Sequence, residues 1–169
     1  MKKLAKLTAL LLTGVMLLLL ASCGAAPNPL TPEQQARQEI FNAIKEVRQK
    51  AGKSSLQEVP ALTQLEQEFI ENFREAGTNG IPLSEAKKLE RELMDKQKEA
   101  GWQFTGGITY SYFGSSAKLS HVYEGDTEAF RKDLSYFISV EDASTAISIG
   151  VVTIEGKIYW TVATLKPIT

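Results

Sequence analysis

The chain has one histidine and one cysteine in 169 residues, and these two side chains bound much of its chemistry. His121 lies in KLSHVY, three residues before Glu124. An imidazole with a carboxylate at hand can act as a general base or a pH sensor. The simpler reading, and the one favoured, is a partly exposed strand histidine with no chemical role. Nucleophilic catalysis finds little support: no serine stands in a Gly-x-Ser-x-Gly setting, and Ser135 beside Tyr136 reads as filler in a helical pattern. Asp95 with Glu99, and Glu68 with Glu71, can pair carboxylates on helix faces, but such pairs usually belong to a solvated surface. GSSAK, residues 114–118, lacks the Gly-Lys-Ser/Thr ending and following helix of a phosphate loop, so it reads as a turn. Between residues 102 and 123 stand Trp102, Phe104, Tyr110, Tyr112, Phe113 and Tyr123. They are dense enough to line a groove for a lipid or peptide, although aromatics on sheets more often fill the core beneath helices. The candidate groove residues are His121, Glu124, Tyr110 and Tyr112.

Four helical patterns and a strand-rich end must position these groups. Thr31, Pro32 and Gln34 form a cap, first-turn proline and capping-box partner. Ile40, Phe41, Ile44 and Val47 fall on one face of a helix that Gly52 would close, and Leu62, Leu65, Phe69 and Phe73 repeat the pattern before Gly77. Ser84 can cap a third helix with Ala86, Leu89, Leu93 and Ala100 inward, ended by Gly101. Asp126 or Thr127 can cap a fourth carrying Phe130, Leu134 and Phe137. WQFTGGITYSYF is strand-like, and KLSHVY extends that sheet. ISIGVVTI and KIYWTVATL flank Glu155 and Gly156, which predicts an antiparallel hairpin. Helices first and a hairpin last give an α+β fold in which helices cover an antiparallel sheet.

Composition sets the outer limits. At 43% hydrophobic and 23% charged, the chain has an ordinary core and room for one compact domain. Three of its 19 basic residues, Lys2, Lys3 and Lys6, precede a leucine run, and setting them aside leaves 16 basic against 20 acidic side chains. That balance carries no footprint for nucleic acid. MKKLAK followed by the mostly apolar stretch 7–20 reads as an export signal, shorter than the roughly 20 residues a bilayer span needs. AAPNPLTP reads as a short extended tether.

Leu20, Ala21, Ser22 and Cys23 resemble the lipobox of bacterial lipoproteins. The resemblance implies cleavage between Ser22 and Cys23, a thioether-linked diacylglycerol on Cys23, and acylation of the new amino group. Two or three acyl chains anchor a protein firmly where one does not. Gly24 after the cysteine favours the outer membrane in a cell with two membranes, and otherwise the outer face of the cell membrane.

A second resemblance covers roughly residues 40–165. Arg48, Gly52, Leu56 and Leu62 within RQKAGKSSLQEVPAL, then Ala100, Gly101 and Trp102, and finally Gly150, Tyr159 and Trp160 in SIGVVTIEGKIYWTV are similar to positions of CAP (SCP) domains, the cysteine-rich secretory protein, antigen 5 and pathogenesis-related 1 superfamily. Lys45 and Lys96 depart from the family's usual asparagine and arginine. The resemblance implies a three-layer α-β-α sandwich. The family's full cavity, two histidines with two acidic residues, has no counterpart: Gly106 and Gly107 lead into Ile108 and Thr109 where one motif should fall, FISVEDAST replaces another, and His121 matches neither. One imidazole cannot supply a two-histidine metal site, so no zinc and no cofactor is expected.

The expected organisation is a lipoprotein signal peptide at 1–22, a lipidated tether at 23–31 and a degenerate CAP/SCP-like domain at 32–169. The expected function is a non-catalytic, membrane-anchored envelope protein that binds a protein, polymer or lipid. The alternatives are a hydrolase-like envelope enzyme using His121 with a carboxylate the sequence does not place, and an unrelated α+β lipoprotein domain.

Overall fold

The computed structural model describes residues 29–140 and 143–169. The export segment, Ser22 and Cys23 lie outside the described residues. From Thr31 onward the chain forms one compact unit, and its buried apolar residues run from Ala36 to Leu165. Thr31–Thr169 therefore supplies its own core.

Helix α1 spans Pro32–Lys50. It starts where Thr31 accepts from the Gln34 amide while the Gln34 side chain bonds back to the Thr31 amide, so two otherwise orphaned donors are satisfied together. A two-residue strand β1 (Gln57–Glu58) leads to helix α2 (Pro60–Ala76). Strand β2 (Ile81–Pro82) runs directly into helix α3 (Leu83–Glu99). Strands β3 (Trp102–Ile108), β4 (Tyr110–Phe113), β5 (Ser116–Leu119) and β6 (Val122–Tyr123) follow. Helix α4 (Glu128–Ser139), capped by the Thr127 hydroxyl, precedes the hairpin of β7 (Ala146–Ile154) and β8 (Lys157–Pro167).

The main sheet has β8 at its centre. β7 lies antiparallel along one side of it, and β1 adds a short parallel pairing to β7. The other side of β8 is shared: β3 pairs antiparallel with residues 162–167, and β6 with Ile158 and Tyr159. Between β3 and β6 the chain leaves the main sheet and forms a second, three-stranded antiparallel sheet in the order β2-β5-β4.

Alternation along β7 and β8 builds the layers. Ile147, Ile149, Val151, Trp160 and Val162 face Ile40 and Ile44 of α1 and Phe130, Leu134 and Phe137 of α4. Val152 and Ile154 face the opposite way, with Phe69, Ile70 and Phe73 of α2 and Ala86 and Leu93 of α3. Successive strand residues point to opposite faces, so both faces need cover, and the near-continuous burial of β7 follows. The fold is α+β, with a helix pair on each face of the sheet and the terminal hairpin in the middle layer. Gly150 is what lets α2 approach: a Cβ there would stand 2.7 Å from the Glu66 carbonyl oxygen.

Three local expectations change. Ser84 does not cap α3, which begins at Leu83, two residues earlier than a Ser84 cap would start it, with Pro82 in the cap position and no side-chain cap. Ala100 is exposed, and Gln97 takes the inward place one turn before it. The stretch expected to be one strand is cut at Thr109, its halves joining different sheets.

Candidate functional site

The predicted groove residues divide between two cores. Tyr110 is buried against Phe69 and Phe73, and its hydroxyl donates to Glu90 at 2.9 Å. Burial first, and then that carboxylate, push the phenol pKa upward. Tyr112 meets the Tyr110 ring edge-on at 5.6 Å but is itself exposed. His121 belongs to the other core. Its ring meets the buried Trp160 edge-on at 5.8 Å, and Nδ1 lies 2.8 Å from Asp133 Oδ2. Glu124 is exposed. The carboxylate beside the histidine is therefore Asp133, twelve residues away on α4. Sequence proximity pointed to Glu124; the only signal for Asp133 was its place on the helix face that turns toward β6.

Between α1 and α4 lies a groove of about 710 Å³, which neither His121 nor Asp133 lines. Ala43, Val47, Phe130 and Leu134 give it an apolar floor. Tyr123, from β6, crosses one end, with its ring edge-on to Phe130 at 5.1 Å. The Tyr123 hydroxyl donates a short hydrogen bond to Glu39, which holds that carboxyl below its usual range, helped by Gln35. Burial and the same carboxylate raise the Tyr123 phenol. Opposite, Arg131 clasps Asp126 through two bonds of 2.7 and 2.6 Å. The groove thus combines an apolar floor with a charged, hydrogen-bonded rim.

Two buried polar groups serve the fold. Arg48 is fully buried and donates to the carbonyls of Ser54 at 2.9 Å and Phe137 at 2.8 Å, tying the end of α1 to the following loop and to α4. Glu66 is fully buried where α2 meets β7 and β8. Desolvation pushes its pKa up to about 7, while the hydroxyls of Thr161 and Ser148 offset part of that rise.

Among the described residues no group of three His, Cys, Asp or Glu side chains is placed to hold a metal ion, and no helix is long and apolar enough to cross a membrane. Comparison with known families, with curated proteins and with solved structures finds no match to the chain.

Proposed function

We propose that the protein is an envelope lipoprotein, fastened to a membrane through acylated Cys23, whose folded body is a non-catalytic, CAP-like binding domain. The observation that carries the anchoring is the lone cysteine directly after an export-type segment, in Leu20-Ala21-Ser22-Cys23. The α1–α4 groove supports binding over catalysis, because its chemistry is an apolar floor and paired charges. The partner is a protein, polymer or lipid of the envelope.

Mass analysis of the mature amino terminus tests the anchor. The expected product begins at Cys23 and carries a diacylglycerol thioether; an unmodified thiol or a terminus elsewhere overturns the placement. Co-sedimentation of the body with isolated envelope polymer or membranes tests the groove. Asn42→Trp, which fills the groove from its rim, is expected to weaken retention about tenfold, and unchanged retention removes the groove from the contact.

The His121–Asp133 contact favours a second reading, an envelope hydrolase-like enzyme, since a carboxylate on Nδ1 orients an imidazole for general-base work. On the binding reading, His121→Ala leaves the cellular role intact. Complete loss of that role in a stably folded variant decides for the enzyme.

A further inference from the structure

The β4–β5 hairpin of the small sheet carries both fully buried and strongly exposed side chains. Tyr110, at the base, is buried; Ala117, directly across from Tyr112, is buried and pairs with Ile81 of β2, and Leu83 N–H donates to the Ser115 carbonyl at the turn, so one edge of the hairpin is braced along its length. At the tip, Tyr112 and Phe113 are the most exposed aromatic side chains among the described residues, at 61% and 55%. A two-residue turn, Gly114–Ser115, joins them to β5. Adjacent strand residues point to opposite faces, so the tip is aromatic on both sides. A flat protein surface would cover only one of those faces, whereas a layer into which the turn dips covers both.

Charge narrows the medium. From Ala100 to Tyr123 there is no acidic residue, in a chain that holds 20 of them. The cation of the hairpin, Lys118, stands 5.9 Å over the Phe113 ring, and its backbone pairs with Ser111, behind the aromatic tip. Aromatic rings leading and an ammonium group following match the order of layers at a bilayer surface, where aromatic side chains settle at headgroup depth and lysines reach anionic phosphates.

We propose that the tip of the β4–β5 hairpin, Tyr112 and Phe113 with Lys118 behind them, is a finger that inserts into the headgroup layer of an anionic phospholipid bilayer. The proposal draws its strength from the lipid-anchor reading. One basic residue near an anionic surface is worth only about 1 kcal/mol, which is too little to recruit a free protein. Cys23 lies eight residues before Thr31, at most about 28 Å of extended chain. A tether of that length makes the contact intramolecular at roughly millimolar effective concentration. The finger then sets the orientation of the body on the membrane rather than its attachment.

The test separates finger from anchor. Thr31–Thr169 contains no cysteine, so Ser115→Cys gives a single site for an environment-sensitive fluorophore. An amino-terminal hexahistidine tag on nickel-chelating lipid supplies the tether, whatever the state of Cys23. On vesicles containing phosphatidylglycerol the emission is expected to shift to the blue and to be quenched by a headgroup-level spin-labelled lipid. Phosphatidylcholine alone should give a weaker shift. Phe113→Ser or Tyr112→Ser, each exposed and verified by an unchanged melting temperature, should lose most of the quenching, and Lys118→Glu about half of it. Emission on phosphatidylglycerol vesicles identical to that in free solution, or quenching indifferent to both aromatic substitutions, overturns the finger. Neither outcome bears on the anchor, which mass analysis of Cys23 decides.

Discussion

Glu66 carries the clearest titration behaviour at the scale of single residues. Its pKa of about 7 in the folded protein lies above the ordinary carboxyl value of 4.5 because burial penalises the anion. The folded state therefore holds a proton that the unfolded chain has already released between those values. Its stabilising contribution is fully present below about pH 4.5 and is lost as the pH rises through 7, a difference on the order of 3 kcal/mol. Glu66→Gln keeps the shape and removes the titration. Its melting temperature is expected to stay level from pH 5 to 8 while that of the wild type falls, the variant being the more stable of the two at pH 8. Parallel curves would refute this. The sequence exposed Glu68 and Glu71 as helix-face carboxylates but gave no notice of Glu66, because burial of a charged residue depends on how close a neighbouring strand comes. Asp133 escaped notice for a similar reason: partners across a fold are chosen by packing, whereas Glu124 was merely near His121 in the chain.

Helices were the most legible elements, because an apolar face repeats whatever it packs against. Ile40 and Ile44 of α1, Leu62, Phe69 and Phe73 of α2, and Phe130, Leu134 and Phe137 of α4 followed from spacing, as did the Thr31 capping box, while the cap of α4, open between Asp126 and Thr127, falls to Thr127. Legibility failed where one element borrows from another. α3 starts at Leu83 because Leu83 N–H donates to the Ser115 carbonyl, a bond to the distant hairpin turn that replaces the Ser84 cap. Trp102–Phe113 splits between sheets because β8 offers β3 only its second half, a limit set by β6 occupying the first. Arg48 joins elements in the same way. Its guanidinium satisfies carbonyls from a loop and from α4 at once, and removing it leaves the buried Phe137 carbonyl without that donor, at about 1–3 kcal/mol, besides the packing of the side chain itself. Arg48→Ala is expected to lower the unfolding free energy by roughly 3 kcal/mol in urea titration. Arg48→Lys should recover less than half, since an ammonium cannot reproduce the fork. A lysine variant as stable as the wild type would assign Arg48 to packing alone.

For the molecule as a whole, the hairpin order and the helices before it implied an α+β fold, yet the sequence could not reveal that a single strand organises it. β8 pairs with β7, β3 and β6, and it places Trp160 and Val162 in one core while Ala163 and Leu165 enter another. All three of its partners precede it in the chain, β7 across a two-residue turn but β3 by some fifty residues, so the β3 pairing carries a large loop-closure cost that β8 repays. Without it, the apolar faces of α1 with α4, and of α2 with α3, have no common sheet to meet on. Most helical stability in proteins comes from packing an apolar face rather than from propensity, so the helices are not expected to survive that loss intact. A chain stopped after Gly156 should accordingly show much reduced helical circular dichroism, collapsed amide dispersion and rapid proteolysis, and a synthetic peptide covering residues 157–169 should restore protection in proportion to its occupancy. A truncated chain that kept native dispersion would show that the helix pairs, rather than β8, organise the fold, and the central place given to this strand would have to be abandoned.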